Sequence, residues 1–182
     1  MDKKTYIAFL RGINVGGHRP LKMEDLRQMF LLLGFKKVET YIQSGNVLFD
    51  VSDSHQTDQL GHLIQEQIKE SFGYEVPVII RSFSTLKKIR ADFPFDIKED
   101  WKGYITFLAQ KPDDESKDQL ESQSNDVETF KVVGSEVYSI INKKADRKPQ
   151  FSNRFMEKQL SVAGTNRNLR TISKVLNLVS SE

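Results

Sequence analysis

The chain has 182 residues, 27 basic and 25 acidic side chains, a net charge of +2, and 38% hydrophobic and 29% charged residues, an ordinary composition for a soluble globular protein. No window reaches the ~18 apolar residues a membrane helix needs; the apolar runs, such as Met29 to Leu33, are a few residues long. The absence of cysteine excludes disulfides, thiol nucleophiles, iron–sulfur clusters and thiolate zinc sites.

The histidines, His18, His55 and His62, form no HExxH-type grouping, so neither a built-in metal nor a cofactor is expected. Magnesium arriving with a phosphate ligand stays open, because it needs only one or two carboxylates. The first residues lack the apolar run of a secretory leader, and a cytoplasmic location is expected. Charge is unevenly placed. Residues 96–128 carry ten acidic and four basic side chains, and residues 143–170 carry eight basic and two acidic. A solvated surface explains both; the basic segment can also attract an anion.

In chain order, Thr5 to Arg11 reads as a strand and the glycine-rich stretch Gly12 to Leu21 as a loop. Lys22 to Leu33 places Met23, Leu26, Met29, Phe30 and Leu33 at three- and four-residue spacing, which predicts an amphipathic helix stopped by Gly34. Lys37 to Gln43 and Asn46 to Val51 read as strands joined by a two-residue turn at Ser44-Gly45. Ser52 to Ser54 offer caps for a long helix ending at Gly73. Glu75 to Arg81 reads as a fourth strand. Ser84 can cap a short helix to Ala91, and an irregular stretch, Asp92 to Lys102, marks a boundary. Beyond it lie a strand (Gly103 to Ala109), a charged helix (Asp113 to Ser122), a hairpin around Gly134-Ser135 and a basic loop to Gln150. Two helices end the chain, Ser152 to Leu160 and about Asn168 to Val179.

The predicted fold is α+β. A ferredoxin-like βαββαβ N-terminal half (residues 1–91) packs on a smaller βαββαα C-terminal half (residues 92–182). Alternation assigns Tyr6, Ala8, Leu10, Val38, Thr40, Ile42, Val47, Phe49, Val51, Val76, Val78 and Ile80 to the helix-covered face. The other face carries Ile7, Phe9, Leu48 and Ile79 beside polar residues, and a second layer is expected over part of it. With first and third strands taken as parallel, the glycine loop and the strand-to-strand turn fall at opposite edges, roughly 20 Å apart.

Three polar regions are candidates for chemistry. In Arg11-Gly12-Ile13-Asn14-Val15-Gly16-Gly17-His18-Arg19, leading to Lys22, glycine amides and three cations stand with no acid among them, and a strand-to-helix loop of this kind can hold an anion. It is neither a P-loop nor a dinucleotide-binding fingerprint, since Gly17 is followed by His18-Arg19 and GxGxxG is absent. The turn Thr40 to Val47 offers Gln43, Ser44 and Asn46, which either bond their own backbone or meet a ligand. Arg167 and Asn168 precede the last helix. An arginine in a first helical turn opposes the helix dipole, which points to an anionic partner. One aromatic, Phe9, on the open face of the first and third strands argues against RNA reading by base stacking. No catalytic triad or paired carboxylates are identifiable, so no enzyme mechanism can be stated.

The segments Phe9 to Gly17, Lys22-Met23, Gly34-Phe35, Thr40 to Val47 and Thr165-x-Arg167-Asn168-x-x-Thr171 resemble a widespread bacterial domain-of-unknown-function family over nearly the whole chain. The resemblance implies a two-part α+β fold, a soluble cytoplasmic protein, and no established activity, cofactor or catalytic residue. Leu169 departs from the family pattern, which usually carries an aromatic there. The leading expectation is binding of an anionic, phosphate-bearing, nucleotide-like small molecule. Arg11, Lys22 and the amides of Gly12, Gly16 and Gly17 hold the anion in this reading, with Asn14 in the loop and Arg167 and Asn168 as a second contact. The alternatives are an enzyme acting on such a ligand, with Gln43, Ser44 and Asn46 orienting it, or a protein-interaction module whose motifs are purely structural. The oligomeric state is not legible.

Overall fold

The computed structural model describes residues 4–52 and 56–179. The described residues form six helices and two four-stranded antiparallel sheets. They divide into two units, Met1–Lys88 with Val175–Glu182, and Ile89–Lys174. No described helix is long and apolar enough to cross a membrane.

The first unit runs β1 (Lys4–Leu10), α1 (Met23–Leu32), β2 (Lys36–Tyr41), β3 (Asn46–Val51), α2 (Thr57–Phe72) and β4 (Val78–Ser82), and its sheet order is β2-β3-β1-β4. The face predicted from alternation is the one that packs, except at Ile42, which falls in the turn after β2 and is 47% exposed. Tyr6, Ala8, Leu10, Val47, Phe49 and Ile80 form one core with Leu26 and Phe30 of α1 and Leu60, Ile64 and Ile68 of α2. Phe49 anchors it, 4.7 Å from the Phe35 ring and edge-on to Phe30 at 5.2 Å. Such a fully buried ring stabilises by about 3–5 kcal/mol relative to alanine. Gly34, at φ 85°, ends α1 because the left-handed residue after a helix carries no Cβ penalty. On the other face Ile7, Phe9, Leu48 and Ile79 are also buried, so Phe9 is closed to any stacked base.

Four expectations for this unit need correction. β1 runs antiparallel to β3, from Lys4↔Val51 to Phe9↔Asn46. A crossover through α1 makes β1 parallel to β2, and β3, hairpinned to β2, must oppose both. The turn between β2 and β3 has four residues, 42–45, not two, because Tyr41 pairs with Asn46. The helix after β4, α3 (Phe83–Ala91), is capped by Ser82, whose Oγ accepts from the Thr85 amide at 3.1 Å, rather than by Ser84. Lastly, α2 begins after Gln56 with no side-chain cap; of the proposed caps, Asp53 and Ser54 lie outside the described residues, as does His55.

The second unit contains β5 (Trp101–Leu108), α4 (Asp114–Ser122), β6 (Glu128–Val133), β7 (Glu136–Asn142), α5 (Asn153–Leu160) and β8 (Gly164–Asn168). Its sheet order, β6-β7-β5-β8, repeats that of the first unit. Strand β8 corrects the βαββαα expectation: the second half is also βαββαβ, with a helix, α6 (Leu169–Val179), after it. Gly-Thr-Asn-Arg-Asn has no apolar alternation to betray a strand. It forms because one edge pairs with β5 and α5 takes amides on the other. Glu157 accepts from Gly164 N at 3.1 Å and Asn153 from Asn166 N at 2.9 Å. Ser152 and Asp113 cap α5 and α4 through their side chains.

Candidate functional site

The backbone itself brings the glycine loop and the β2–β3 turn together, contrary to the expected ~20 Å separation, which followed from the wrong strand direction. At the end of β1, Leu10 N donates to Gly45 O at 2.9 Å and Arg11 N to Pro77 O at 3.0 Å. Gly45, at φ 78°, lies so close that a Cβ there would come within 2.8 Å of Leu10 and 2.7 Å of Ile13. Buried Ile13 then pins the loop. Asn14 ties it further. Its Nδ2 donates to Leu21 O and to Gln43 O, both at 2.9 Å, and its Oδ1 accepts from Leu21 N at 2.8 Å.

Beyond Asn14 the chain makes a small hairpin. Val15 bridges His18 around Gly16 and Gly17, at φ 58° and 77°, the pair of positive φ values that a two-residue hairpin turn of the primed type demands. Asn14 N donates to Arg19 O at 3.2 Å. The return brings the Arg19 guanidinium over Gly12, where a Cβ would stand 3.2 Å from Nη1. Gly12, at φ 68°, thus serves both the backbone bend and the close approach.

A cavity of about 600 Å³ opens between this loop and α2. Arg11, Gly12 and Arg19 line one side, Gln65, Glu66 and Lys69 of α2 another, and Glu75 to Pro77 the floor. Gln65 is partly committed, its Oε1 accepting from Val78 N at 2.9 Å. Lys69 pairs with Glu75 at 2.7 Å. That hydrogen bond, with the attraction of opposite charges, holds the Glu75 carboxyl below its ordinary pKa and the Lys69 ammonium above its own. Arg19 adds a smaller pull on Glu75.

The other candidates fall elsewhere. Lys22, Asn14 and Gln43 line a different hollow, of about 380 Å³. Gly16 and Gly17 sit exposed at the hairpin tip. Asn46 is wholly buried, donating to Tyr41 O at 2.8 Å and to Ser44 Oγ at 3.2 Å, so its side chain is spent on the turn, while Gln43 is exposed. Arg167 and Asn168 belong to the second unit. Arg167 lies in β8, opposite Ile105, not in a first helical turn, so the dipole argument does not apply to it. Burial lowers its pKa, and Nη1 is held by Thr165 Oγ1 and Asn166 O, each at 2.8 Å. Asn168 caps α6, accepting from Thr171 N at 2.8 Å. Sequence reasoning counted Arg19 only as a loop charge and missed Gln65, Glu66, Lys69 and Glu75. The one signal for the three residues of α2 is a polar stripe on that helix, which solvent explains equally well, and Glu75, between α2 and β4, has none. Among the described residues no group of three histidine, aspartate or glutamate side chains could hold a metal ion.

Residues 3–138 match a family described as a protein of unknown function, DUF1697. The chain belongs to this family. The matched span holds every cavity-lining residue and stops before β8. The chain is also similar in fold to the conserved bacterial protein SP0830 from Streptococcus pneumoniae. The TM-score is 0.70 at 22% identity, covering 98% of this chain and 99% of that one. No curated protein matches this DUF1697 sequence.

Proposed function

We propose that this protein binds a small anionic, phosphate-bearing ligand in the cavity between the β1–α1 loop and α2. The cavity's volume is typical of small-molecule sites. Arg11 and Arg19 supply planar donor forks suited to phosphate oxygens. A guanidinium about 4 Å from a phosphate charge gains about 4 kcal/mol at an effective dielectric of ~20, before desolvation is subtracted.

The observation that carries this reading is internal to the molecule. The second unit builds the same topology and repeats the backbone bonds that close the site region: Leu108 N to Ser135 O at 2.9 Å and Ala109 N to Ala163 O at 2.8 Å. These match Leu10 to Gly45 and Arg11 to Pro77. Yet Ala109 stands where the first unit has Arg11, and Glu136 where it has Asn46. Its first strand reaches the next helix in five residues, 109–113, whereas the first unit uses twelve, 11–22. The shared topology closes the equivalent strand end without an arginine or a long glycine loop, which supports a ligand-directed role for them beside their part in the fold.

Isothermal titration against inorganic phosphate and a panel of nucleotides and sugar phosphates tests the reading. At least one phosphate compound should bind, and Arg19→Ala should weaken it about tenfold or more, the loss of one charge-assisted contact. Absence of heat from every compound at millimolar concentration overturns it.

A further inference from the structure

The two walls of the cavity differ in charge, and the difference constrains the ligand beyond its phosphate. The loop wall presents Arg11 and Arg19. On the opposite side Lys69 is matched by Glu75 at 2.7 Å, so these two cancel. The carboxylate left over is Glu66, exposed and with no cationic partner among the described residues. Glu66 can only accept hydrogen bonds when ionised. A compact anion filling the loop wall would leave Glu66 facing a like charge in the same cavity. A longer ligand with a donor at its far end would instead give Glu66 a hydrogen bond strengthened by its charge. The volume leaves room for such a ligand, being far larger than a phosphate group.

Resting on the anion-binding reading, the geometry points to Glu66 as a specificity residue for a two-ended ligand, a phosphate at one end and an amino donor at the other. Arg11 and Arg19 hold the phosphate, and Glu66 accepts from the amino group. Two sources share this chemistry: a nucleotide whose base carries an exocyclic amine, and an aminoalkyl phosphate. Discrimination then comes from the hydrogen bond to Glu66 gained or lost, as polar specificity generally does.

Matched pairs separate the possibilities by titration calorimetry. GMP is compared with IMP, CMP with UMP, and phosphoethanolamine with ethyl phosphate, each against the full chain and Glu66→Gln. The amino-bearing member of at least one pair should bind the native chain about tenfold more tightly than its partner. In Glu66→Gln that preference should fall to within about twofold, while the amine-free member binds as well as before or better. The nucleotide and aminoalkyl arms identify the source. Glu66 is exposed on α2 and glutamine keeps its shape, so an unchanged thermal midpoint and circular dichroism spectrum confirm that only recognition has changed. If both members of every pair bind alike, or if the preference survives Glu66→Gln, the role of Glu66 is overturned while the anion-binding reading stands. If no compound binds, both fall.

Discussion

Asn14 is the residue on which the shape of the loop depends most directly, and its removal gives a calculable result. Its amide makes three bonds of good length, to Leu21 O, Gln43 O and Leu21 N, between 2.8 and 2.9 Å. The 3.5 Å approach to Gln43 Oε1 is too long to count. At about 1 kcal/mol each, with the Gln43 bond discounted for its exposure, these contribute about 2–3 kcal/mol. Asn14 also sits at φ 54°, where alanine pays about 1 kcal/mol that asparagine partly escapes by bonding locally. Asn14→Ala should therefore destabilise the first unit by about 3 kcal/mol, and Asn14→Gly, which loses the bonds but tolerates the backbone, by about 1 kcal/mol less. Urea unfolding measures the totals. Amide exchange at Leu21, whose N–H is freed in both variants, shows that the loss is local. An Asn14→Ala protein within 0.5 kcal/mol of the native chain, with the Leu21 amide as protected as before, would refute the claim that this side chain holds the loop.

Gly45→Ala should cost about 3 kcal/mol or more by urea unfolding, since it combines φ 78° with overlaps on Leu10 and Ile13 that a packed core cannot relieve; a variant as stable as the native chain would contradict the close approach. Burial, reinforced by Glu136 and Asp92, pushes the Tyr138 phenol up to about 12. The neutral phenol is favoured in the folded state, so its contribution is complete below the unfolded value of about 10 and is lost as pH climbs through about 12. An absorbance titration near 295 nm should show a late step that Tyr138→Phe removes, and a difference curve centred at 10 would contradict the burial argument.

What the sequence disclosed and what it hid divide along a physical line. Periodic features were legible, because burial acts on every second strand residue or every third and fourth helical one. Tyr6, Ala8 and Leu10 share a face with Val47, Phe49 and Val51, and Leu26, Met29 and Phe30 lie on the buried side of α1. Local stops and turns were legible too, as at Gly34 and the Gly134-Ser135 hairpin. Features set by long-range partners were not. Strand β8 depends on Asn153 and Glu157 for its outer amides. The buried Glu128 carboxylate, which accepts from Gln150 N and Phe151 N and so closes the basic loop, looks in the sequence like one more acid in an acidic stretch. At the candidate site, Arg11 and Gly12 stood out because glycines surround them. Glu66 and Lys69 did not, because a polar helix face carries the same letters whether it meets solvent or a cavity.

The two polar motifs of the first unit are better understood as one structural object than as two. Leu10 bonds Gly45 through the backbone, Ile13 and Leu10 crowd the space a Gly45 side chain would fill, and Asn14 reaches across to Gln43. Each motif supplies the surface that the other needs, so neither the glycine loop nor the β2–β3 turn can change shape alone. This coupling also separates roles that the sequence runs together. Asn14, Gly45 and Asn46 are spent on holding the loop, with partners inside the fold. The guanidinium of Arg19, brought over Gly12, and the carboxylate of Glu66, on α2, make no such side-chain contribution to the loop's closure. The second unit closes its equivalent strand end with plain backbone bonds at Leu108 and Ala109 and a five-residue connection. The second unit thus lacks the extra length, the charge and the asparagine clamp that accompany Arg11 and Arg19 along the cavity of the first.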